Sequence, residues 1–230
     1  MSDKSHNNPK FVALSTEEKK TLGFWGSYFG QLTGMGLSKE ELAERESKKI
    51  LEAEELACKR CEQWRDELLQ SSPIVKFMKD HLSRSGYEIT SENMPCTKCD
   101  ESRSGGFSPE YGIDLCWNGF FSKDHMEDTM AHEMIHAYDH CNFKVNWLNL
   151  EHHACSEIRA ASLSGDCRLL RELKRGHYGF IKQHQKCVKR RAILSLLSNP
   201  SCKSKEDAER AVNKVFDSCF NDTRPFDEIY

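Results

Sequence analysis

The chain has 230 residues, a formal net charge of −3 and a hydrophobic share of 38%. This length allows one sizeable core with a helical extension, and the charge is too small and too evenly spread to indicate nucleic-acid binding. No apolar run approaches the roughly 18 residues that a membrane span requires. The polar start, residues 1–20, has neither a secretory apolar segment nor the Arg-rich pattern of a transit peptide.

The N-terminal region is predicted to be polar first and helical afterwards. Residues 1–20 are expected to be disordered because they contain few apolar side chains. Aromatic side chains then recur at helical spacing within residues 24–32. Packing of this stripe against the domain is favoured over contact with a membrane surface or a partner.

Two helices are predicted before the middle of the chain. Ser38 with Glu41 forms a capping box that opens a long charged helix reaching about Gln70. Pro73, at a first-turn position, begins another helix that ends near Ser85-Gly86.

The middle of the chain is predicted to contain a loop, a strand and a further helix. Residues 91–109 are rich in Ser and Gly and are expected to form a loop. Residues 113–117 have β character, and a turn follows them. This strand is expected to form the sheet edge along which a peptide lies extended. Asp124 with Glu127 is interpreted as the capping box of a helix over residues 124–141.

Inside that helix lies His132-Glu133-Met134-Ile135-His136, an HExxH motif. Positions four apart lie on one face of a helix, so both imidazoles can reach one metal ion. Glu133 projects to the side, where it can act as a general base without occupying the metal. Zinc held by two His and a further ligand activates water near neutral pH. An accidental motif is the alternative, but the helical context favours a zinc hydrolase, most often a peptidase.

A catalytic zinc site needs a third protein ligand. Glu157, 21 residues after His136 on a second predicted helix, matches the zinc set of two histidines and one glutamate. His140 is less favoured because three ligands in a row on one straight helix converge poorly on one ion. His152 and His153 are then expected to contact the metal ligands without binding the ion, to have a structural role, or to lie near the surface.

Supporting roles are assigned to residues around the motif. Asp139 is interpreted either as the partner that orients a ligand imidazole or as a solvated helix residue, with equal weight. His177 and Tyr178 are candidates for stabilising the oxyanion, because they would begin a helix beyond Glu157. The chain after the zinc helices is predicted to be helical throughout, in the segments 165–175, 177–198 and 204–220.

The chain contains eleven cysteines, a density that is unusual in a reducing compartment and favours a disulfide framework. The alternative is a second, structural zinc ion bound by Cys58, Cys61, Cys96 and Cys99, which form two CxxC pairs. The other seven cysteines show no metal-ligand spacing, so disulfides are favoured. Most cysteines are predicted to be paired, and Cys141, on the active-site helix, is the predicted free thiol.

The pattern extends far beyond HExxH. It includes three segments, AHEMIHAYDHC, VNWLNLEHHACSEIRAASLSGDC and DSCFNDTRPFDEIY. With them the chain resembles the mitochondrial ATP synthase-processing metalloproteases of the intermembrane space. The resemblance covers about residues 20–230 and is most specific across 130–230. His132, Glu133 and His136 match the family motif directly, and Glu157 matches as the third ligand. His140 and Cys141 follow the motif where family members differ, which argues against an essential role for either.

The resemblance implies a protease of the intermembrane space, bound peripherally to the inner-membrane surface, with one catalytic Zn²⁺. Its implied substrate is the precursor of the mitochondrially encoded ATP synthase subunit 6, from which the N-terminal presegment is removed. It also implies a separable chaperone role in assembling that subunit, inner-membrane assembly factors as partners, and no nucleic acid. Import by an oxidative disulfide relay would account for many cysteines without a transit peptide.

The expected fold is therefore α+β and predominantly helical, a zincin-like metalloprotease domain with an HExxH helix and a small sheet. Residues 21–230 are expected to form one zinc metalloprotease domain, with a helical extension at 21–70 and a catalytic core at 71–230. Two functions remain open: a zinc endopeptidase, and a cysteine-rich assembly chaperone with little or no proteolysis. The intact Glu133 favours the endopeptidase, since a degenerate site would tend to lose its general base.

Overall fold

The computed structural model describes residues 15–17, 20, 21, 37–100, 103–179 and 182–227. The aromatic stripe within residues 24–32, and most of the segment predicted to be disordered, lie outside these described residues. The chain divides into two compact units, Met1–Ala53 and Glu54–Tyr230.

The predicted capping box at the start of the first long helix is present. The backbone N–H of Ser38 donates to Glu41 Oε2 at 2.7 Å, and the backbone N–H of Glu41 donates to Ser38 Oγ at 3.2 Å. Each side chain thus satisfies a backbone donor that the helix start leaves open. Helix α1 (Lys39–Ser71) follows, and its end agrees with the predicted one.

Helix α2 (Pro73–Arg84) also begins and ends where the sequence predicts. Ser72 Oγ accepts from the backbone N–H of Val75, and Pro73 occupies the first turn, where its missing N–H costs no hydrogen bond. Its buried face, Val75, Met78 and Leu82, packs into the core that α2 shares with the sheet and the motif helix.

The sheet corrects the predicted loop at residues 91–109. It has three strands, β1 (Cys96–Thr97), β2 (Gly105–Ser108) and β3 (Gly112–Cys116), in the order β1-β3-β2. β3 pairs parallel with β1 and antiparallel with β2. β3 is the predicted strand, but it lies in the centre of this sheet, so its expected position at the edge is wrong. β1 and β2 are the two edge strands.

The motif helix α3 (Lys123–Asn142) matches the prediction, except at its cap. Ser122 is the N-cap, and its Oγ accepts from the backbone N–H of His125 at 3.1 Å. The expected capping box of Asp124 with Glu127 is therefore wrong. Asp124 lies in the first turn, where a carboxylate is favourable next to the positive end of the helix dipole.

The remaining helices are α4 (Leu150–Leu163), α5 (Leu169–Lys174), α6 (Gln183–Leu196) and α7 (Lys205–Phe220). α7 begins as predicted, with Ser204 Oγ accepting from the backbone N–H of Asp207. The predicted helix start at residue 177 is wrong, since residues 177–179 are not helical and α6 begins at Gln183.

Helix α4 packs against α3 on one side and against α6 and α7 on the other. The small residues Ala154 and Ala161 are fully buried with Ile158 in the second core cluster, which α6 and α7 complete. Because α3 also packs on the sheet, the motif helix lies between the sheet and α4. Within the part of the chain that the structure describes, no helix is long and apolar enough to cross a membrane.

Eight cysteines pair in four disulfides, which confirms the prediction that most are bonded. Cys61–Cys96 joins α1 to β1, and Cys155–Cys219 joins α4 to α7. The other two bonds are Cys99–Cys116 and Cys167–Cys187. Because Cys61, Cys96 and Cys99 are all bonded, the alternative of a four-thiolate zinc site is wrong. Each bond stabilises the fold by about 2–4 kcal/mol, mainly by restricting the unfolded chain.

Chemical labelling should find three free thiols. Cys141 is free as predicted, and Cys58 and Cys202 are free as well. Alkylation of the denatured, unreduced protein is therefore expected to add three labels, and prior reduction should raise the number to eleven. Peptide mass mapping identifies the labelled positions. Labels on Cys61 or Cys219 without reduction would contradict the pairing.

Candidate metal centre

Two imidazoles from α3 and one carboxylate from α4 meet in the second unit. The rings of His132 and His136 lie one helical turn apart, with centroids separated by 4.8 Å. His132 Nε2 lies 3.5 Å from Glu157 Oε2, and His136 Nε2 lies 3.3 Å from Glu157 Oε1. One donor atom from each residue falls within 4.8 Å of the other two, a spacing that could hold a metal ion.

A hydrogen-bond chain fixes the orientation of His136. Ser156 Oγ donates to Asp139 Oδ2 at 2.8 Å, so its lone pair is free to accept from His136 Nδ1, also at 2.8 Å. The proton therefore lies on Nδ1, which leaves the lone pair of Nε2 for a metal. Asp139 is only 2% exposed, so its interpretation as a solvated residue is wrong and its orienting role acts through Ser156.

Arg159 extends this chain to the C-terminal tail. Its Nε donates to Asp139 Oδ1 at 3.0 Å, and its Nη1 lies 2.7 Å from Asp222 Oδ1. Nη1 also donates to the backbone oxygen of Asp222, and Nη2 donates to that of Arg224. The tail thus supports a site more than sixty residues earlier in the chain. Sequence reasoning missed Ser156 and Arg159, although both lie in the segment VNWLNLEHHACSEIRAASLSGDC quoted above.

Glu157 is buried and surrounded by donors. Ser195, near the end of α6, donates its Oγ to Glu157 Oε1 at 2.6 Å, and His153 Nε2 lies 3.4 Å from the same oxygen. Burial acts to raise the pKa of Glu157, but the interactions with His136, His132 and His153 outweigh it and hold that pKa well below its usual range. The carboxylate is therefore ionised at neutral pH, as a metal ligand must be.

The charges around this cluster suit a divalent cation. Although burial acts to lower the pKa of His136, the neighbouring Glu157 and Glu133 carboxylates raise it to about 9. Without a metal the buried carboxylates thus hold a proton on the imidazole, and a cation at Nε2 would replace that proton. Two imidazoles and one carboxylate form a donor set that zinc prefers. His132, His136 and Glu157 therefore fit a zinc ion.

Glu133 lies beside the cluster at the wall of a large cavity. Its side chain is buried, and burial raises the pKa of the Glu133 carboxyl above its ordinary value. The cavity has a volume of about 1010 Å³ and is also lined by β2, by Trp147 and Leu148, and by the end of α6. A carboxyl group in this position faces both the cluster and the cavity, so it can accept a proton from a bound water and return it.

The other predicted candidates lie apart from the cluster. His140 is exposed and stacks on Trp147 at a centroid distance of 6.4 Å. His152 is exposed, and its Nδ1 accepts from the backbone N–H of Asn146. Neither His177 nor Tyr178 lines the cavity, and Tyr178 is 71% exposed. The expectation that these two residues stabilise an oxyanion is therefore wrong. It depended on a helix that begins at residue 177, and residues 177–179 are not helical.

His125, at the start of α3, is expected to make the stability of the metal-free protein depend on pH. Its ring stacks on Phe121 at 4.1 Å, and among the described residues its buried Nδ1 has no hydrogen-bond partner. Burial, the largest cause, lowers its pKa to about 4. In the unfolded chain the pKa is about 6.5. The neutral form is therefore favoured by folding, and the stability it contributes is present above pH 6.5 and is lost as pH falls through 4.

Chemical denaturation between pH 7 and pH 4 measures this loss. The zinc-free protein is expected to lose about 2–3 kcal/mol of unfolding free energy through His125 over this range. His125→Gln, which cannot titrate, should lack this part of the slope. Identical slopes in the two proteins would show that His125 does not carry the effect.

Comparisons with known proteins agree with this geometry. The model of the peptidase M76 family matches residues 59–227. A mitochondrial inner membrane protease atp23 of Neosartorya fischeri is 52% identical over 208 residues, covering 90% of this chain and 87% of the relative. The protein of the same name from Emericella nidulans is 50% identical, with coverage of 91% and 88%. That of Yarrowia lipolytica is 48% identical, with coverage of 90% and 83%.

No solved structure is similar enough to match. The family match spans the disulfide of α1, the motif helix α3, the Glu157 helix α4 and the C-terminal tail that supports Arg159. The predicted resemblance is confirmed, and the chain belongs to the peptidase M76 family and is a metallopeptidase.

Proposed function

We propose that the protein is a zinc endopeptidase of the zincin type, in which His132, His136 and Glu157 hold one Zn²⁺ and Glu133 is the general base. The observation that carries this proposal is the convergence of two Nε2 atoms and a buried carboxylate beside Glu133 in one cavity. When bound, zinc would supply a Lewis acid that polarises the scissile carbonyl and activates water.

The residues of the chain account for proton transfer and orientation. The Glu133 carboxylate accepts a proton from the attacking water and passes it to the leaving nitrogen. Its position beside the cluster and at the wall of the cavity suits both halves of this transfer. The Ser156–Asp139 pair holds the His136 ring by Nδ1, so that its metal-facing nitrogen needs no reorientation during the reaction.

The edge strand β2 is the proposed platform for the substrate. β3 pairs with one side of β2, and residues 105–108 line the cavity. An extended peptide can add to such an edge through main-chain hydrogen bonds, which give affinity without strong sequence specificity. Gly105 begins the strand, and its lack of a side chain lets the strand lie close to α3, since an added Cβ would come within 2.8 Å of Thr129 Cγ2.

Apolar side chains at the cavity rim favour an apolar residue in the substrate. Phe107 and Trp147 line the cavity, and Leu148 and Leu194, also part of its lining, are 62% and 55% exposed. Burying these surfaces against an apolar side chain would stabilise the complex by about 25 cal/mol for each Å² removed from water.

For the biological setting, the relatives' name supports a protease at the mitochondrial inner membrane. We propose an intermembrane-space location with peripheral membrane contact and the ATP synthase subunit 6 precursor as the substrate. Inner-membrane assembly factors are the proposed partners, without nucleic acid.

Residues 71–230 would form the catalytic core and 21–70 a helical extension. The second candidate function is an assembly chaperone with little proteolysis.

The test uses the zinc-loaded protein and the mitochondrially translated subunit 6 precursor in inner-membrane vesicles. Removal of the presegment, seen as a mass shift, is expected and should stop after zinc is chelated. Cleavage of unstructured casein with the precursor left intact would reject the substrate but keep the endopeptidase. Inactivity towards both would favour the chaperone.

A further inference from the structure

His153 lies beside the metal cluster, and the mechanism proposed above gives it no role as a ligand or in proton transfer. It is one helical turn before Glu157 on α4, and its side chain is 16% exposed. Its Nε2 lies 3.4 Å from Glu157 Oε1, while its ring makes an edge contact with Trp147 at 6.0 Å. Its donor atoms do not belong to the set of His132, His136 and Glu157 that meets within 4.8 Å.

The neighbouring amide of Asn199 is held in one orientation. Its Nδ2 donates to the backbone oxygen of Trp147 at 2.7 Å, and its Oδ1 accepts from the backbone N–H of Ser201 at 2.9 Å. Exchanging the two amide atoms would break both bonds. Nδ2 is therefore the atom that lies 2.8 Å from His153 Nδ1.

This contact fixes the tautomer of His153. An amide nitrogen only donates, so His153 Nδ1 must accept, and the neutral ring carries its proton on Nε2. Neither nitrogen then has a free lone pair for a metal ion. The N–H instead faces Glu157 Oε1, the oxygen to which Ser195 Oγ also donates.

We propose that His153, oriented by Asn199, is a positioning residue for the third metal ligand. With Ser195 it directs two donors to Glu157 Oε1 and leaves Oε2 for the metal. The contact between His153 and Asn199 links the site to the loop that follows α6. The geometry of the ligand therefore depends on a loop residue more than forty positions away from Glu157 in the sequence. This inference rests on the proposed role of Glu157 as a ligand.

The test measures zinc affinity by competition with a chromophoric chelator. His153→Leu, which lacks a donor, is expected to bind zinc about 10–100-fold more weakly, the usual effect of losing a residue that supports a ligand. His153→Gln keeps an N–H donor and should stay within about threefold of the wild type. The melting temperatures of the zinc-free variants show whether each one is folded.

Cobalt substitution separates positioning from direct ligation. The visible spectrum of the Co²⁺-loaded His153→Gln variant is expected to match that of the wild type, because the ligand set is unchanged. Equal loss of zinc affinity in the Gln and Leu variants, with an altered cobalt spectrum, would make His153 a ligand and overturn the inference. Unchanged affinity in both would also overturn it. A wild-type protein without zinc affinity would instead reject the proposed function itself.

Asn199→Ala tests the origin of the tautomer. ¹⁵N-edited spectra of the zinc-free protein should show His153 with its proton on Nε2 in the wild type and a mixture of tautomers in the variant. The zinc affinity should fall less than in His153→Leu, since part of the population keeps the donor. In the His153→Gln background, Asn199→Ala should not lower the zinc affinity further, because the Gln side chain has no ring tautomers for Asn199 to select. An additive loss there would contradict the link between the two residues.

Discussion

Replacing Glu133 with Gln is expected to leave zinc binding unchanged and to lower the rate of peptide hydrolysis by about 10²–10⁴-fold. Glu133 faces the cavity beside the cluster but is not one of the three residues that converge there. The amide of Gln has nearly the same shape as the carboxyl group and cannot accept the proton of the attacking water. The effect should therefore appear in kcat, with KM little changed.

The zinc content of the purified variant tests whether metal binding is unchanged. Cleavage of a quenched fluorescent peptide pool measures the loss of hydrolysis. Glu127→Gln is the matched control, since it makes the same chemical change on α3 at a residue outside the cavity lining. It should retain full activity. Wild-type turnover in Glu133→Gln would remove Glu133 from the mechanism, and loss of zinc in that variant would make it a ligand.

Replacing Glu157 with Ala is expected to weaken zinc binding by more than about 100-fold, because a direct ligand contributes more than a residue that supports one. The variant also leaves His132 and His136 as the remaining members of the converging set. Activity should fall with the metal content and recover only at high zinc concentration. Equilibrium dialysis over a range of zinc concentrations gives the change in affinity.

His140→Ala is the matched control for the third ligand. His140 lies on the motif helix but is exposed, and its ring contacts Phe107 and Trp147 instead of the cluster. Its zinc affinity should equal that of the wild type. Unchanged affinity in Glu157→Ala together with a loss in His140→Ala would transfer the third-ligand role to His140.

Features that depend on neighbouring residues could be predicted from the sequence. The four-residue spacing of His132 and His136 places both rings on one face wherever that segment is helical, and α3 is helical there. The Ser38 capping box and the Pro73 helix start are also local, because each satisfies or avoids a backbone donor within one turn.

The edge strand β2 could not be predicted in this way. It begins with Gly105 and Gly106, and glycine weakens a strand because it has no side chain to pack. Its pairing with β3 makes it a strand, with Gly105 opposite Leu115 and Ser108 opposite Gly112. The position of β2, the proposed substrate-binding edge, therefore depends on its pairing with β3. The β propensity of its residues does not reveal that pairing.

The supporting residues of the site were missed for a related reason. Ser195 reaches Glu157 across 38 positions of sequence, and Asn199 reaches His153 across 46. Such contacts exist only after α6 packs on α4. Disulfide partners have the same long-range origin, so eleven cysteines could indicate an oxidised framework without giving its pairing.

X-ray absorption at the zinc edge, on the purified protein after removal of loosely bound metal, tests the metal centre most directly. One zinc per chain is expected, with imidazole nitrogen and carboxylate oxygen neighbours at about 2.0–2.2 Å. Glu157→Ala should lose that signal. Sulfur neighbours at about 2.3 Å, or two zinc ions per chain, would instead place a metal on the cysteines and contradict a single centre formed by α3 and α4.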